Sequence, residues 1–366
     1  MKGNNFKIKN TLGMFDLLKG IIMVAIIAFH TFNLFFSTED FLHAGSGENF
    51  EIFQSVLAVL FIYCFSISMP AFLVVSGYGF RKRPFVKMLK QQAGTILIPY
   101  FCSAIAAVIL HLLCHYLSFR YLPGAINETL KIAAGQVFGM SKTVTINNFT
   151  LFACGTTWFL LTLFWAYIFL DFIMLHVSEK KQLFFVGVVV IVGWILSFFD
   201  YVPWCISQGM VGTLYVYMGH AIKKRKIFEK EWTLKEKLLI VLLVIIPGLV
   251  MSAFGCILGM ADGVYSLGVL TIIVSGFGGC VLVYFYLKNN IWNGKISNIL
   301  RGVGRYSLYI MCVHSVELIA IPWYIVSAKF QDYKGVGFVI IFALRFTIDY
   351  CLSLLINCIR TKTIGE

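Results

Sequence analysis

Ten stretches of predominantly apolar residues follow one another along the chain, at 13–36, 51–79, 94–118, 151–176, 182–199, 203–222, 238–257, 264–287, 304–327 and 336–357. Each is long enough to cross a hydrocarbon layer as a helix, and short polar or basic segments separate them. The runs are continuous rather than alternating residue by residue, so they predict helices and not the half-polar strands of a transmembrane barrel. The expected fold is all-α: a polytopic membrane helical bundle of about ten transmembrane helices.

The exceptions inside these spans carry the chemical interest, because an ionisable side chain at membrane depth is costly and ordinarily faces a protein interior or a water-filled cavity. The first span holds Asp16, Lys19 and His30. Lys19 and His30 are eleven residues apart, which at about 100° per residue returns them to nearly one helix face, roughly 16 Å apart along the axis. Asp16, three residues before Lys19, shares the stripe and can neutralise it. Two readings stand at this point: a lysine that snorkels and a histidine bonded to a neighbouring carbonyl, or two groups aimed into one cavity.

The ninth span, "GRYSLYIMCVHSVELIAIPWY", places His314 and Glu317 three residues apart on one face. A buried Glu must be paired or protonated, and its candidate partners are His314 and Arg345 of the last span. Arg345 and Asp349, one turn apart, read as polar glue between helices. Asp171, in the fourth span, is a candidate to face the same cavity. His111, Cys114 and His115 lack a third hard ligand at metal-site spacing, and no metal is expected.

Composition agrees with this pattern. The 366 residues are 59% hydrophobic and 13% charged, with a mean hydropathy of +0.85, outside the range of ordinary soluble domains. The basic start leads into a span long enough to cross the bilayer without a small-residue cleavage site, so this span is expected to remain in the mature protein. The ten Cys are scattered singly without a CxxC pair and read as small core residues. No connecting segment is long enough for an independent core, so residues 1–366 are read as one transmembrane domain with no appended soluble domain. The longest external connection, 119–150, is expected to form a re-entrant or surface helix over the mouth of the bundle.

The formal net charge of +13 changes the picture through its placement. With the N-terminus inside, basic residues such as Lys2, Lys7, Lys9, Arg81, Arg83, Lys87, Lys90 and the run "KKRK" at 223–226 fall on the inner side. Only Arg120, Lys131, Lys142, Lys329 and Lys334 fall outside. That bias is the positive-inside rule, it puts both termini in the cytoplasm, and it removes any need for a nucleic-acid partner. The inner loop after the second span stands out: Ser76 and Gly77 close the span, and Arg81, Arg83, Lys87 and Lys90 follow. The cluster serves as a topology signal or as a phosphate-binding patch.

Taken in order, four segments resemble the acyltransferase 3 family of integral membrane acyltransferases: Lys19 to His30, where the family more often has Arg; "AFLVVSGY" at 71–78 with its basic sequel; "TTWFLLTLFW" at 156–165; and "GRYSLYIMCVHSVE". The family's RxxR is matched only by Lys87 and Lys90, or loosely by Arg81 and Arg83. The resemblance implies a membrane O-acyltransferase moving an acyl group, commonly acetyl, from cytoplasmic acetyl-CoA or another acyl-CoA to a hydroxyl of a cell-envelope glycan or related acceptor, in a bacterial cytoplasmic membrane. In that scheme His30 is the general base, with direct transfer and a transient acyl-histidine both open. Lys19 supports the donor electrostatically, and His314 with Glu317 orients the acceptor or relays a proton. Arg81, Arg83, Lys87, Lys90, Ser76 and Gly77 hold the donor. The competing class is a transporter or flippase, for which helices with cavity-facing charges are equally natural.

Overall fold

Apolar runs become helices here because lipid offers no partner for a free backbone N–H or C=O, so each span must satisfy its own. The computed structural model describes residues 14–36, 52–288 and 294–364; Lys2, Lys7 and Lys9 lie outside them. The helices are α1 (Met14–Phe32), α2 (Ile52–Gly79), α3 (Phe85–Phe119), α4 (Leu122–Phe138), α5 (Trp158–His176), α6 (Glu179–Leu196) and α7 (Ile206–Lys224). They continue with α8 (Leu234–Ala253), α9 (Val269–Lys288), α10 (Lys295–Arg305), α11 (Ser307–Ala320), α12 (Trp323–Ala328) and α13 (Lys334–Ile364). Among the described residues seven helices are long and apolar enough to cross a membrane, and the protein is an all-α integral membrane protein. A helix stands in each of the other three expected spans: α6, α7 and the shorter α11.

Two boundaries move. The third span begins at Phe85, nine residues before the apolar run, because "FVKMLKQQ" is helical with Met88 and Gln92 buried on one face and its lysines on the other. The ninth breaks into α10, α11 and α12, since Tyr306 ends α10 and Pro322, which cannot continue a helix, follows α11.

Small residues set the spacing of the bundle, as packing rather than hydrophobicity drives helix association in lipid. A Cβ on Gly20 would lie 1.9 Å from the Leu300 carbonyl oxygen and one on Gly304 1.8 Å from that of Asp16, so α1 and α10 touch backbone to backbone. Gly77 of α2 meets Val216, and Gly219 of α7 meets Val74, in the same manner. α7 is thereby sunk among α2, α5 and α6, while α11 packs between α3 and α13.

α3 and α8 each widen into a π turn, Ala93–Leu97 and Val241–Ile245, just ahead of Pro99 and Pro247. The wider turn clears the preceding carbonyl from the proline ring and absorbs the missing N–H. In the 119–150 connection, α4 packs along α3. The strands Val144–Ile146 and Phe149–Leu151 follow as an antiparallel hairpin, turned by Asn147 and Asn148 at positive φ.

Candidate functional site

α1, α2, α3, α5, α11 and the loop 257–262 enclose one cavity of about 960 Å³. α5 shows that it has two ends. Its first residue, Trp158, lines the cavity, while Asp171, thirteen residues and about 20 Å further along, accepts the Arg83 amide at 3.1 Å. Lys19, Arg81 and Arg83 line the cavity at the Asp171 end; Ser141 and Asp262 line it at the other. Burial among the loops pushes the Asp262 carboxyl above the usual carboxylate range, with Lys142 opposing.

Lys19 reaches the cavity with its charge already paired, Nζ lying 2.6 Å from Asp16 Oδ1, as the i, i+3 spacing predicts. His30, three turns further along α1, is half-buried in the same wall. Its ring packs against that of His314 with centroids 5.4 Å apart. His314 is fully buried behind it and does not line the cavity.

Behind His30 the structure assembles a polar cluster from four helices, α1, α11, α12 and α13. His314 Nδ1 lies 2.8 Å from Glu317 Oε1 and 3.0 Å from Asp349 Oδ2, so the Nδ1 proton points at carboxylates and Nε2 is left on the opposite side of the ring. Arg345 donates to Glu317 from Nε at 3.0 Å and Nη2 at 2.8 Å, and from Nη1 to Thr31 Oγ1 at 3.3 Å. Thr31, next to His30, donates in turn to the Ile27 carbonyl at 2.8 Å. Trp323 Nε1 donates to the remaining Glu317 oxygen, and the Arg345 guanidinium lies over its indole ring. Both candidate partners of Glu317 thus engage it together, and Arg345 bonds Glu317 rather than its own-helix neighbour Asp349. The cluster fixes the height and rotation of α1 at His30.

His314, Glu317 and Asp349 are also the group of three potential metal ligands found among the described residues. The donor set does not suit a cation: Arg345 and Trp323 already occupy both Glu317 oxygens. His111, Cys114 and His115 do not converge on a common point, His111 Nδ1 turning to Thr129 Oγ1 at 2.8 Å.

The basic patch divides. Arg81 and Arg83 line the cavity, whereas Lys87 and Lys90 are exposed on the outer face of α3 and do not. Ser76 lines it, its hydroxyl donating to the Phe72 carbonyl at 2.9 Å. Gly77 is taken up by the α2–α7 crossing. Asp171 does not face the cavity but anchors the Arg83 backbone. Sequence reasoning missed Thr31 and Trp323, whose roles depend on which helices abut, and the polar wall residues Gln91, Gln92 and Thr95. The only signal for those three was a polar "KQQAGT" at the start of an apolar run.

A family model described as an acyltransferase domain, that of the acyltransferase 3 family, matches residues 13–359. No curated protein and no solved structure matches the chain.

Proposed function

The chain belongs to the acyltransferase 3 family and is a membrane acyltransferase, and from that premise we propose that it transfers an acyl group, acetyl foremost, from cytoplasmic acyl-CoA to a hydroxyl of a cell-envelope glycan or related acceptor. The observation that carries the reading is the continuity of one cavity from Lys19, Arg81 and Arg83 at one end, past His30, to Ser141 and Asp262 at the other. Nothing in that arrangement requires donor and acceptor to share a side of the membrane.

In this reading Arg81 and Arg83 take the CoA phosphates at the inner mouth, where guanidinium groups offer forked donors. Lys19, neutralised by Asp16 when the site is empty, adds a cation beside the arm. The arm follows α1 upward. Its main chain is as long as about four extended residues, roughly 14 Å, against about 16 Å between Lys19 and His30, so the thioester arrives beside His30.

His30 removes the proton from the acceptor hydroxyl as the oxygen attacks the thioester carbonyl. The C–O bond forms, the C–S bond breaks, and the proton passes from the imidazole to the departing thiolate. An imidazole suits the task because it takes and returns a proton near neutrality. His314, held by Glu317 and Asp349, positions the His30 ring from behind.

The test is acetyl transfer in membrane vesicles, with label followed from acetyl-CoA into the glycan fraction. His30→Ala abolishes incorporation while the protein stays in the membrane at wild-type amounts. Wild-type incorporation by that variant overturns the proposal.

A further inference from the structure

The two π turns differ in one respect. Both precede a proline and both are explained by it, but residues 241–245 in α8 are wholly apolar, whereas the turn at 93–97 in α3 is flanked and entered by Gln91, Gln92 and Thr95, all three on the cavity wall. Gln92 is 93% buried by its 7% exposure, with only the Met88 sulfur at 3.3 Å and a long contact from the Thr95 hydroxyl at 3.5 Å as side-chain partners. The Gln91 Oε1 atom is buried without any hydrogen-bond partner in the structure. Thr95 donates to the Gln91 carbonyl at 2.9 Å, which ties the three residues into one polar strip.

Apolar side chains, among them Met69, Phe72, Met88 and Phe159, make up much of the cavity wall, and the strip interrupts them. Buried amide groups left short of partners are rare in proteins and call for an explanation. A primary amide offers a donor and an acceptor side by side and so matches another amide. The strip stands six to ten residues into α3, about 9 to 15 Å along its axis from Phe85. It therefore lies between the arginines that precede α3 and the middle of the cavity.

We propose that Gln91, Gln92 and Thr95 form a subsite for the secondary amides of the donor's pantetheine arm. The assignment rests on the acyl-CoA reading above and deepens it: the arginines hold the charged end, the glutamines the amide-bearing middle, and His30 the reacting end. The π turn opens the α3 surface where the arm passes, and the flanking methionine and phenylalanine side chains take its apolar parts.

The experiment is calorimetric titration of the purified protein in lipid nanodiscs with CoA and with 3′-phospho-ADP, which keeps the phosphates and lacks the arm. Wild-type protein binds CoA more tightly than 3′-phospho-ADP. Gln91→Leu and Gln92→Leu each weaken CoA by roughly three- to tenfold, the worth of one net hydrogen bond, and leave 3′-phospho-ADP unchanged. Thr95→Val, the mildest change, weakens CoA in the same selective way. Equal loss of both ligands in all three variants, or CoA affinity unchanged in all three, overturns the subsite. If wild-type protein binds neither ligand, the donor reading itself falls and takes the subsite with it. If it binds both equally, the donor reading stands and the subsite alone is lost.

Discussion

Arg345→Met probes the cluster behind His30 with the least change in volume. Arg345 is fully buried, and it makes close contacts to Glu317 from Nε and Nη2 besides the one to Thr31. Removing the guanidinium leaves Glu317, only 3% exposed, with His314 and Trp323 but no permanent cation. Breaking a buried pair from one side costs about 3–5 kcal/mol, most of it the penalty of stranding the other charge. Glu317→Gln strands Arg345 and costs a similar amount. The double variant strands neither, so its loss is smaller than the sum of the single losses by at least about 2 kcal/mol. That is well beyond the roughly 0.6 kcal/mol of an ordinary interhelical hydrogen bond in a membrane protein. The assay is reversible denaturant unfolding of all four proteins in mixed micelles, as a double-mutant cycle. Additivity within about 0.5 kcal/mol would refute the argument that these groups form one charge-compensated unit.

Further outcomes follow from the same geometry. Arg81→Gln and Arg83→Gln each raise the KM for acetyl-CoA by about ten- to a hundredfold, the worth of a hydrogen bond to a charged group. Lys87→Gln and Lys90→Gln, on the face away from the cavity, change it less than about twofold at physiological salt. Steady-state kinetics separates the two pairs. Gly304→Ala forces a methyl into the Asp16 carbonyl, so α1 and α10 move apart and Lys19 shifts with them; unfolding measurements register a loss of about 1–3 kcal/mol, the scale of overpacking. At the start of α8, the Thr233 amide and hydroxyl donate to Glu236 Oε2 at 2.7 and 2.9 Å, and the Glu236 amide donates back to the Thr233 hydroxyl at 3.3 Å. Thr233→Ala removes this helix cap, and unfolding measurements register a loss of about 1 kcal/mol.

The sequence makes the spans legible because lipid turns a hydropathy run into a helix with little help from tertiary context. It is less informative where a helix is amphipathic or broken. "FVKMLKQQ" fell outside the apolar count although it is the first part of α3, and the proline that stops α11 lay inside an unbroken apolar run. The candidate site follows the same division. Asp16 with Lys19, and His314 with Glu317, were readable as i, i+3 pairs and are bonded as such. Arg345 and Asp349 were visible as glue on one helix face, but their separate partners on α11 depend on how α11 and α13 abut. Gln91 and Gln92 precede the third apolar run and drew no reading from the sequence; only the cavity identifies them as its wall.

In the proposed mechanism one cavity joins a donor on the Lys19 and Arg83 side to an acceptor on the Asp262 side, with His30 between. The most direct test reconstitutes the protein in liposomes with acetyl-CoA enclosed and an envelope-glycan extract outside, then measures release of free CoA for protein oriented with its N-terminus inward. Acceptor-dependent release that disappears in His30→Ala is the expected result. Release only when donor and acceptor occupy the same side, or release that persists in His30→Ala, would contradict it.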